Sequence, residues 1–394
     1  MNYIESVKKE LFDFHSLSEL SDDELYRLIN SVVIKQNTGK YMSVDERVTI
    51  VDKIFSSIRG LGVLDELLQD DTISEIMINR FDEIFIDRNG EMIRSEVVFD
   101  DEDSLDDIIQ RIVGKSGREV NTANPIADTR LPGGERVNIV LPPVSIDSPT
   151  VTIRRFPKER IQMENLITLG TISEEAAKFL ENLVSKKFNI FISGGTSSGK
   201  TTFLNALSDF IPKNERIITI EDSAELQITG IENLIRLEAR NSNTAGSGEI
   251  SIRDLIRASL RMRPDRIIVG EVRGAEAIDM LGAMNTGHDG SLSTGHANSS
   301  SDMLYRLETM IMQGDMSFPI PAIRQYIASS IDIIVHLCKT ADSKRRVVEI
   351  SEIAGIRRGE IVLNTLYEFS DGCLKSTGNK LKHTEKLSIY KSRT

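Results

Sequence analysis

The spacing of hydrophobic residues divides the chain into a helical start, a mixed middle and a long region of alternating strands and helices. At the start, apolar residues recur every three or four positions, which predicts consecutive helices. The first covers residues 3–14, and the next two open at Ser21 and Ser43, which each begin a capping box. Gly60 is expected to end the third helix. We therefore predict an N-terminal helical domain over residues 1–62.

The pattern then changes to short apolar runs that are typical of strands. Strands are expected at residues 76–79, 84–87, 92–99, 137–141 and 151–156, and a helix at 103–115. Asn89 and Gly90 form a strong signal for a hairpin turn. Six of the ten prolines fall between Pro125 and Pro157, so we expect mostly loops and a stiff connection there. The prediction is a mixed α/β domain over residues 63–156 and a linker over 157–170.

From residue 171 onward, apolar strands alternate with helical patterns. Strands are expected at residues 188–193, 216–221, 234–238, 266–270, 291–294 and 332–337. This alternation predicts an α/β domain over residues 171–370, with a mostly parallel sheet and helices on both faces. Residues 371–394 carry six Lys and Arg against two acidic residues and show weak periodicity. They form a basic tail, which is either a partner or membrane contact or, more commonly, a solvated segment.

The composition is typical of a globular protein. The chain has 394 residues, 40% of them hydrophobic, which suits two or three domains. No apolar run approaches the roughly 18 residues of a transmembrane helix, and the first residues do not resemble a signal peptide. Cys338 and Cys373 form no C-x-x-C pair and are expected to be reduced. We therefore expect a cytoplasmic protein, with peripheral membrane contact still open.

The net charge of −12 is distributed unevenly along the chain. Residues 1–170 carry 20 Lys and Arg against 32 Asp and Glu, whereas residues 171–394 carry 28 of each. This asymmetry indicates at least two functional units. Affinity for nucleic acid depends on clustered Lys and Arg, so the acidic first part is a poor surface for duplex DNA. No stable binding of nucleic acid is expected.

The clearest chemical signal is the run Gly-Gly-Thr-Ser-Ser-Gly-Lys-Thr at residues 194–201, which fits the Walker A pattern G-x-x-x-x-G-K-[ST]. It lies between a predicted strand and a predicted helix, which directs backbone N–H groups at an anion. Lys200 would reach the β- and γ-phosphates of ATP, and the Thr201 hydroxyl would hold Mg²⁺. The predicted nucleotide-binding residues of this loop are Gly194, Gly195, Thr196, Ser197, Ser198, Gly199, Lys200, Thr201 and Thr202.

Carboxylates at strand ends would supply the groups that hydrolysis needs, which are a ligand for Mg²⁺ and a base or orienting group for water. Glu271 follows one predicted strand, and Glu221 and Asp222 lie at the end of another. The carboxyl ends of parallel strands face the ligand crevice, so these side chains are expected near the γ-phosphate. Spacing does not decide which of them is the base. We favour Glu271 for Mg²⁺ and water, with Glu221 assisting.

Two histidines lie in the glycine-rich segment 286–298. A metal site at His288 and His296 is one interpretation, but neither a third ligand nor helical spacing supports it. A phosphate-sensing role suits His296 better, because an imidazole can donate to the γ-phosphate and change partner when that group leaves. A structural role in holding the loop stays open for both, and more so for His288.

Two groups of arginines are candidates for phosphate contacts, because a planar guanidinium suits the charge that develops on a transferring phosphate. The group ahead of the phosphate loop contains Arg130, Arg136, Arg154 and Arg155, and the group beside the Glu271 strand contains Arg257, Arg261, Arg263 and Arg273. Pairing with nearby acidic residues is the alternative for each of them.

Several segments, in a fixed order, resemble the ATPase superfamily of type II and type IV secretion and pilus systems. They are residues 125–134, 152–156, 194–201, 218–226, 260–274, 287–291 and 296–298. The resemblance covers roughly residues 60–370 and is closest to the CpaF-type tight-adherence (Flp) pilus assembly ATPases. The sequence departs from that pattern at Gly295, where a larger residue is common, and in the segment 241–244, which lacks a proline. Gly295 is expected to loosen the loop that carries His296.

The resemblance implies a RecA-like P-loop motor domain joined by a linker to a PAS-like domain. Six subunits would form a ring, with ATP at the seam between the two domains. Glu221 would belong to the Asp box, Glu271 would close an atypical Walker B motif, and His296 would belong to the His box. Arg154 and Arg155 would approach the phosphates.

Together these features predict a hexameric cytoplasmic ATPase, peripheral at the inner face of the cell membrane. It would couple ATP hydrolysis to pilus assembly or protein secretion, with an inner-membrane platform protein as partner and motion around the linker. One alternative is a RecA-like nucleic-acid translocase, which the acidic first part disfavours. The other is a non-hydrolysing nucleotide-binding regulatory module, which the strand-end carboxylates disfavour.

Overall fold

The computed structural model describes residues 3–12, 17, 20–37, 41–115, 119–155, 160–240, 248–314, 317–340, 342 and 344–390. The chain divides into two compact units, Met1–Lys158 and Glu159–Thr394. The end of the first predicted helix at residue 14, Pro157 of the predicted linker and the segment 241–244 lie outside the described residues. Within the described ranges, no helix has the length and apolar composition needed to cross a membrane.

The first unit combines a helical part with an antiparallel sheet. Its elements are α1 (Tyr3–Phe12), α2 (Asp22–Gln36), α3 (Val44–Arg59), α4 (Val63–Gln69), β1 (Ile73–Arg80), β2 (Glu83–Arg88), β3 (Glu91–Arg94), α5 (Glu102–Lys115), β4 (Ile126–Arg130), β5 (Arg136–Val140) and β6 (Thr150–Arg154). The sheet order is β3-β2-β1-β6-β5-β4, with every neighbouring pair antiparallel. Side chains of α2 and α3 share a small core with α1, whereas α4 and α5 cover one face of the sheet.

Local signals in this unit formed as the sequence predicted. Ser21 and Ser43 each accept a hydrogen bond from the backbone three residues later, and both capping boxes are complete. Asn89 and Gly90 have φ angles of 56° and 86°, which make the tight turn between β2 and β3. These features depend on neighbouring residues alone, so the sequence was sufficient to identify them.

The predicted strands of this unit differ from the structure in two places. The predicted strand over residues 92–99 is only β3, because the hydroxyl of Ser95 exchanges hydrogen bonds with the backbone of Val97 and turns the chain away. The proline-rich region also contains β4, a strand that was not among the predicted ones. Pro125 directly precedes that strand, a position where a missing N–H group interrupts no ladder bond.

The second unit is a mixed nine-stranded sheet with helices on both faces. Its elements are α6 (Met163–Thr168), α7 (Glu174–Ser185), β7 (Ile190–Gly194), α8 (Lys200–Ser208), β8 (Ile217–Glu221), β9 (Leu234–Glu238), α9 (Ile252–Ser259), β10 (Arg266–Val269), α10 (Ala277–Asn285), β11 (Leu292–His296), α11 (Ser300–Gly314), α12 (Ile320–Ser330), β12 (Ile333–Lys339), β13 (Arg345–Arg357), β14 (Glu360–Ser370), β15 (Cys373–Ser376) and α13 (Glu385–Ile389). The order is β15-β14-β13-β12-β7-β11-β10-β8-β9.

The central strand β7 shows why helices are needed on both sides. Ile190 and Ile192 belong to the core shared with α7 and α8, whereas Phe191 belongs to the core shared with α10, α11 and α12. A strand that is buried on both faces is typical of a parallel sheet. The strands from β12 to β9 are indeed parallel, as predicted, while β13, β14 and β15 form an antiparallel extension that the sequence pattern missed.

Both ends of the second unit contain elements that the sequence did not predict. The latter half of the predicted linker contains α6, whose Met163 and Leu166 are buried in the core of this unit. The basic tail contributes β15 and α13 over its described part, and most of its side chains there are exposed, as the solvated alternative expected. Buried Glu352 accepts hydrogen bonds from the backbone of Lys382 and His383, which fixes the path of the chain towards α13.

Candidate active site

The phosphate loop connects β7 to α8 as the sequence predicted. Gly199 has a φ of 91°, which suits glycine, and α8 starts at Lys200 directly after it. Gly194 has no space for a side chain, because a Cβ would lie 2.5 Å from Leu337 O. Thr201 and Thr202 follow on the first turn and are half-buried. The loop and the N–H groups of this turn form the kind of cradle that binds phosphate.

Lys200 lies at the centre of this loop. Its Nζ donates to Gly194 O at 3.1 Å and Gly195 O at 2.9 Å, and it lies 3.3 Å from His296 Nδ1. Burial lowers the pKa of Lys200, while the nearby charge of Glu271 opposes that effect. The ammonium group is therefore held by weak carbonyl partners that a phosphate oxygen, as a charged acceptor, would replace favourably.

Glu271, His296 and Arg273 continue the contacts that start at Lys200. His296 Nε2 lies 2.6 Å from Glu271 Oε1, and Arg273 binds Glu271 Oε2 through Nε at 2.9 Å and Nη2 at 2.6 Å. Burial lowers the pKa of His296, which favours a neutral ring. A neutral ring that accepts from Lys200 at Nδ1 carries its proton on Nε2. The short distance from Nε2 to Glu271 Oε1 is not a hydrogen bond in its angles, so that buried oxygen has no donor among the described residues. The result is a series of close contacts from Lys200 through His296 and Glu271 to Arg273.

Glu221 lies at the end of β8, beside this group. Its Oε1 accepts from the backbone N–H groups of Glu225 at 2.7 Å and Leu226 at 2.8 Å, which holds the following loop. Burial raises the pKa of Glu221 to about 7. The other oxygen, Oε2, is buried and accepts no hydrogen bond from the described residues. That oxygen has acceptor capacity for a water molecule or a metal-bound water.

The oxygen donors at this crevice fit the Mg²⁺ ion that ATP hydrolysis requires. The Thr201 hydroxyl and the carboxylates of Glu271 and Glu221 are hard ligands, and Glu221 Oε2 is a buried acceptor without a hydrogen-bond donor in the described part of the chain. No group of three or more His, Cys, Asp or Glu side chains with metal-site geometry occurs in that part. Mg²⁺ typically uses one or two protein carboxylates together with phosphate oxygens and waters.

Gly295 does not loosen the loop of His296, contrary to the expectation. A Cβ at this position would lie 3.0 Å from the ring of Phe191 and 3.1 Å from the methyl group of Met303. Glycine is therefore the residue that lets these two side chains pack against the end of β11. The close packing fixes the strand directly before His296.

His288 and Arg263 lie at the wrong end of the sheet for the site in this unit. His288 precedes β11, whereas His296 ends it, so the two histidines do not share a metal ion. The His288 Nδ1 instead lies 3.3 Å from Ala283 O at the end of α10, the structural role left open for it. Arg263 precedes β10, at the edge opposite Glu271.

Three of the four candidate arginines in the first unit form a row across its sheet. Arg130 pairs in register with Arg136, and Arg136 with Arg154, which itself pairs with Glu75 on the next strand. The three arginine side chains and that of Glu75 therefore share one face of the sheet. The Arg154 side chain is 55% exposed, and its Nε lies 3.6 Å from Glu75 Oε1. Arg154 therefore pairs with an acidic residue, which was the alternative to a phosphate contact. Only its Nε lies near Glu75, and the side chain as a whole stays largely exposed.

Arg155, by contrast, has a structural role in the first unit. Its side chain is only 8% exposed and contacts Asp71 at 3.3 Å. Nη1 also donates to the carbonyl oxygens of Asp70 and Ile73, which fixes the start of β1. A phosphate contact would require this side chain to leave those partners, so Arg154 is the better candidate of the two.

Two residues near the phosphate loop were missed by sequence reasoning. The buried His336 of β12 places Nδ1 2.8 Å from Ser193 Oγ, directly before the loop. Arg345, at the start of β13, donates from Nε to Ser197 O at 3.0 Å. A lone histidine in an apolar strand and an arginine in an unpredicted strand gave no motif that would have revealed them.

A cleft of about 350 Å³ opens beside Glu271 and Arg273. Its wall also includes Asp222, whose Oδ2 lies 3.8 Å from Arg273 Nη1, and Arg240. A second groove of about 380 Å³ lies between α6 and α7 and contains none of the candidate catalytic residues. The cleft at Glu271 therefore opens to Glu271 and Asp222, whereas the buried Glu221 is not part of its wall.

Comparison with known proteins identifies the family and the fold of this chain. Residues 58–385 match the family described as type II/IV secretion system protein. The conjugal transfer protein TrbB of Rhizobium radiobacter is 33% identical over 294 residues, which cover 74% of this chain and 86% of TrbB. The type IV secretion system protein PtlH of Bordetella pertussis is 34% identical over 316 residues, which cover 74% and 93%. The crystal structure of the pilus retraction motor PilT with bound ADP has the same fold, with a TM-score of 0.52 at 20% identity over 84% of this chain and 86% of PilT.

Proposed function

The chain belongs to the type II/IV secretion system protein family and is a P-loop ATPase, and from this premise we propose that it is the hexameric motor of a pilus-assembly or protein-secretion machine. The motor works at the cytoplasmic face of the inner membrane, against a platform protein. Among the branches of the family, we favour the CpaF-type Flp pilus ATPases. The second unit then corresponds to a RecA-like motor domain, and the sheet of the first unit to a PAS-like domain.

The observation that carries the proposal is the path from the phosphate loop to the strand-end carboxylate. Lys200 contacts His296, and His296 contacts Glu271. A group that binds the γ-phosphate therefore communicates directly with the group that would orient water. This coupling is what a hydrolytic motor needs and a passive nucleotide-binding module does not.

Each residue has a distinct task in the proposed reaction. Lys200 binds the β- and γ-phosphates, and Thr201 and Glu271 hold Mg²⁺, which when bound neutralises charge on the phosphates. Glu271 also orients the attacking water. The pKa of Glu221 near 7 suits a group that assists in taking the proton of that water at neutral pH.

His296 is the proposed phosphate sensor. When Lys200 turns towards a phosphate, His296 Nδ1 loses its donor, and the ring is free to change partner. Its contact with Glu271 then reports the state of the nucleotide to the end of β10. We propose Arg154 as a further phosphate contact. Its side chain is 55% exposed, which makes it the most accessible arginine of the row.

The proposal is tested by ATP hydrolysis and by mass in solution. Lys200→Ala is expected to reduce kcat/KM for ATP about a hundredfold, the cost of losing a charged group at a transferring phosphate. The matched control is Lys178→Ala on α7, where the lysine side chain is 70% exposed. Wild-type hydrolysis by Lys200→Ala would refute the site, and light scattering that shows no hexamer with or without ATP would refute the ring.

A further inference from the structure

His336 lies beside the strand that ends in the phosphate loop. In the register of the sheet, it is level with Ser193 of β7 on one side and Glu349 of β13 on the other. The residue is 6% exposed, and its Nδ1 lies 2.8 Å from Ser193 Oγ. The ring therefore holds the last residue before Gly194, where the loop begins.

The same ring also contacts the segment that follows His296. Helix α11 packs against β12, and the backbone of Asn298, which lies between His296 and that helix, is close enough to the ring to act on the pKa of His336. On the other side of β7, β11 places Gly295 level with Ser193 and His296 level with Gly194. One imidazole thus joins the phosphate-loop strand to the segment that leads from β11 into α11.

The chemistry of the ring suits this bridging position. Burial lowers the pKa of His336, with Glu349 and Asp302 acting in the opposite direction and Lys200 adding to the lowering. A neutral imidazole offers one acceptor and one donor. When Nδ1 accepts from the Ser193 hydroxyl, Nε2 carries the proton, and it is available to donate towards the nearby backbone of Asn298. An aliphatic side chain would fill the same space and join neither segment.

We propose that His336 is a positioning residue, which ties the phosphate-loop strand to the segment after His296 and so keeps His296 within reach of Lys200 and Glu271. The inference rests on the proposed role of His296 as phosphate sensor. It assigns His336 no contact with nucleotide. Losing it should therefore impair turnover more than nucleotide binding, and should matter only while His296 is present.

The test is a double-mutant cycle on the full chain, with kcat for ATP hydrolysis and Kd for ATP as readouts. His336→Leu is expected to reduce kcat about tenfold and to change Kd less than about threefold. In a His296→Ala background, adding His336→Leu should reduce kcat by less than about twofold. Ser193→Ala, which removes only the hydroxyl partner, should lower kcat in the same direction. It also keeps the test valid if His336→Leu does not fold.

Other outcomes separate this inference from the proposed function. If His296→Ala alone leaves kcat at the wild-type value, the sensor role itself is wrong. If His296→Ala lowers kcat but His336→Leu and Ser193→Ala do not, or if their losses multiply with that of His296→Ala, the positioning role of His336 is wrong. A loss of ATP affinity as large as the loss of kcat would also overturn it, because it would indicate a general disturbance of the phosphate loop.

Discussion

The side chain of Glu221 packs directly against the α-carbon of Gly270, because a Cβ at Gly270 would lie only 2.9 Å from Glu221 Cγ. The two residues are brought together because β8 and β10 are parallel neighbours whose carboxyl ends lie at the same edge of the sheet. Glu271 follows Gly270 directly, so the missing side chain lets both carboxylates occupy one end of the sheet. The glycine is thus part of the geometry of the site although it has no chemistry of its own.

Gly270→Ala should displace Glu221 and reduce kcat about tenfold, with a smaller effect on the affinity for ATP, because the phosphate loop lies on another strand. The measurement is steady-state ATP hydrolysis together with ATP binding. Gly114→Ala is the control, because no heavy atom outside its own helix backbone and chain neighbours lies within 4 Å of a Cβ there. An unchanged kcat in Gly270→Ala would show that the position of Glu221 does not matter to turnover.

The raised pKa of Glu221 makes stability depend on pH. Burial moves this pKa from 4.5 to about 7, so the folded chain holds an extra proton between these values, and the free energy of unfolding falls as pH rises through this window. The full difference is about 3 kcal/mol. Glu221→Gln keeps an acceptor for the loop and cannot ionise, so it should flatten this decline in urea unfolding measured at pH 5 and pH 8.

The exposed Glu232 supplies the control for that experiment, since Glu232→Gln should leave the pH dependence of unfolding as in the wild type. Equal slopes for the wild type and Glu221→Gln would contradict a raised pKa. Activity gives a second readout. If Glu221 assists as a base, kcat should rise with pH through about 7 in the wild type, and this rise should be lost in Glu221→Gln.

The sequence was most informative where function depends on local geometry. The loop from Gly194 to Thr201 was identified together with its flanking strand and helix, because the glycines, the lysine and the apolar run are adjacent in the chain. The strand-end positions of Glu221 and Glu271 followed from the same kind of local pattern. Their packing around Gly270 did not, because it depends on which strands are neighbours.

The contacts that were missed join residues far apart in sequence. Ser193 and His336 are separated by 143 positions, and Ser197 and Arg345 by 148. Both links depend on β12 and β13 lying beside the phosphate loop, and the antiparallel extension that starts at β13 was not predicted. The contacts of the basic tail with Asp289, Asp332 and Glu352 were missed for the same reason, because those carboxylates lie elsewhere in the chain.

Arg345 is predicted to stabilise the conformation of the phosphate loop. Its Nε donates to Ser197 O at 3.0 Å, and its Cδ lies 3.3 Å from the place where a Cβ would stand on Gly199. Losing one such hydrogen bond costs about 1 kcal/mol, so Arg345→Ala should raise the Kd for ATP about fivefold. Arg357→Ala, at the exposed far end of β13, is the matched control. If both variants bind ATP equally well, the contact with Ser197 does not shape the loop.

Lys386 anchors the C-terminal helix α13 to the sheet of the second unit, at the edge where the N-terminal ends of β11 and β12 lie. Its Nζ lies 2.8 Å from Asp289 and 2.7 Å from Asp332, and burial raises the pKa of the Asp332 carboxyl. Lys386→Met would leave these two carboxylates close together without their shared cation. We expect the free energy of unfolding of the second unit to fall by about 2 kcal/mol, below the range for a fully buried pair because the lysine is 22% exposed.

Lys382→Met provides the comparison for this last prediction, because that side chain is exposed and only its backbone is bound, by Glu352. Equal unfolding free energies for the two variants would show that α13 is held by Leu387 and its other apolar contacts rather than by charge. ATP hydrolysis measured on both variants separates anchoring from catalysis. Asp289, Asp332 and Lys386 lie at the edge opposite the phosphate loop, so kcat should stay near the wild-type value at temperatures where the second unit remains folded.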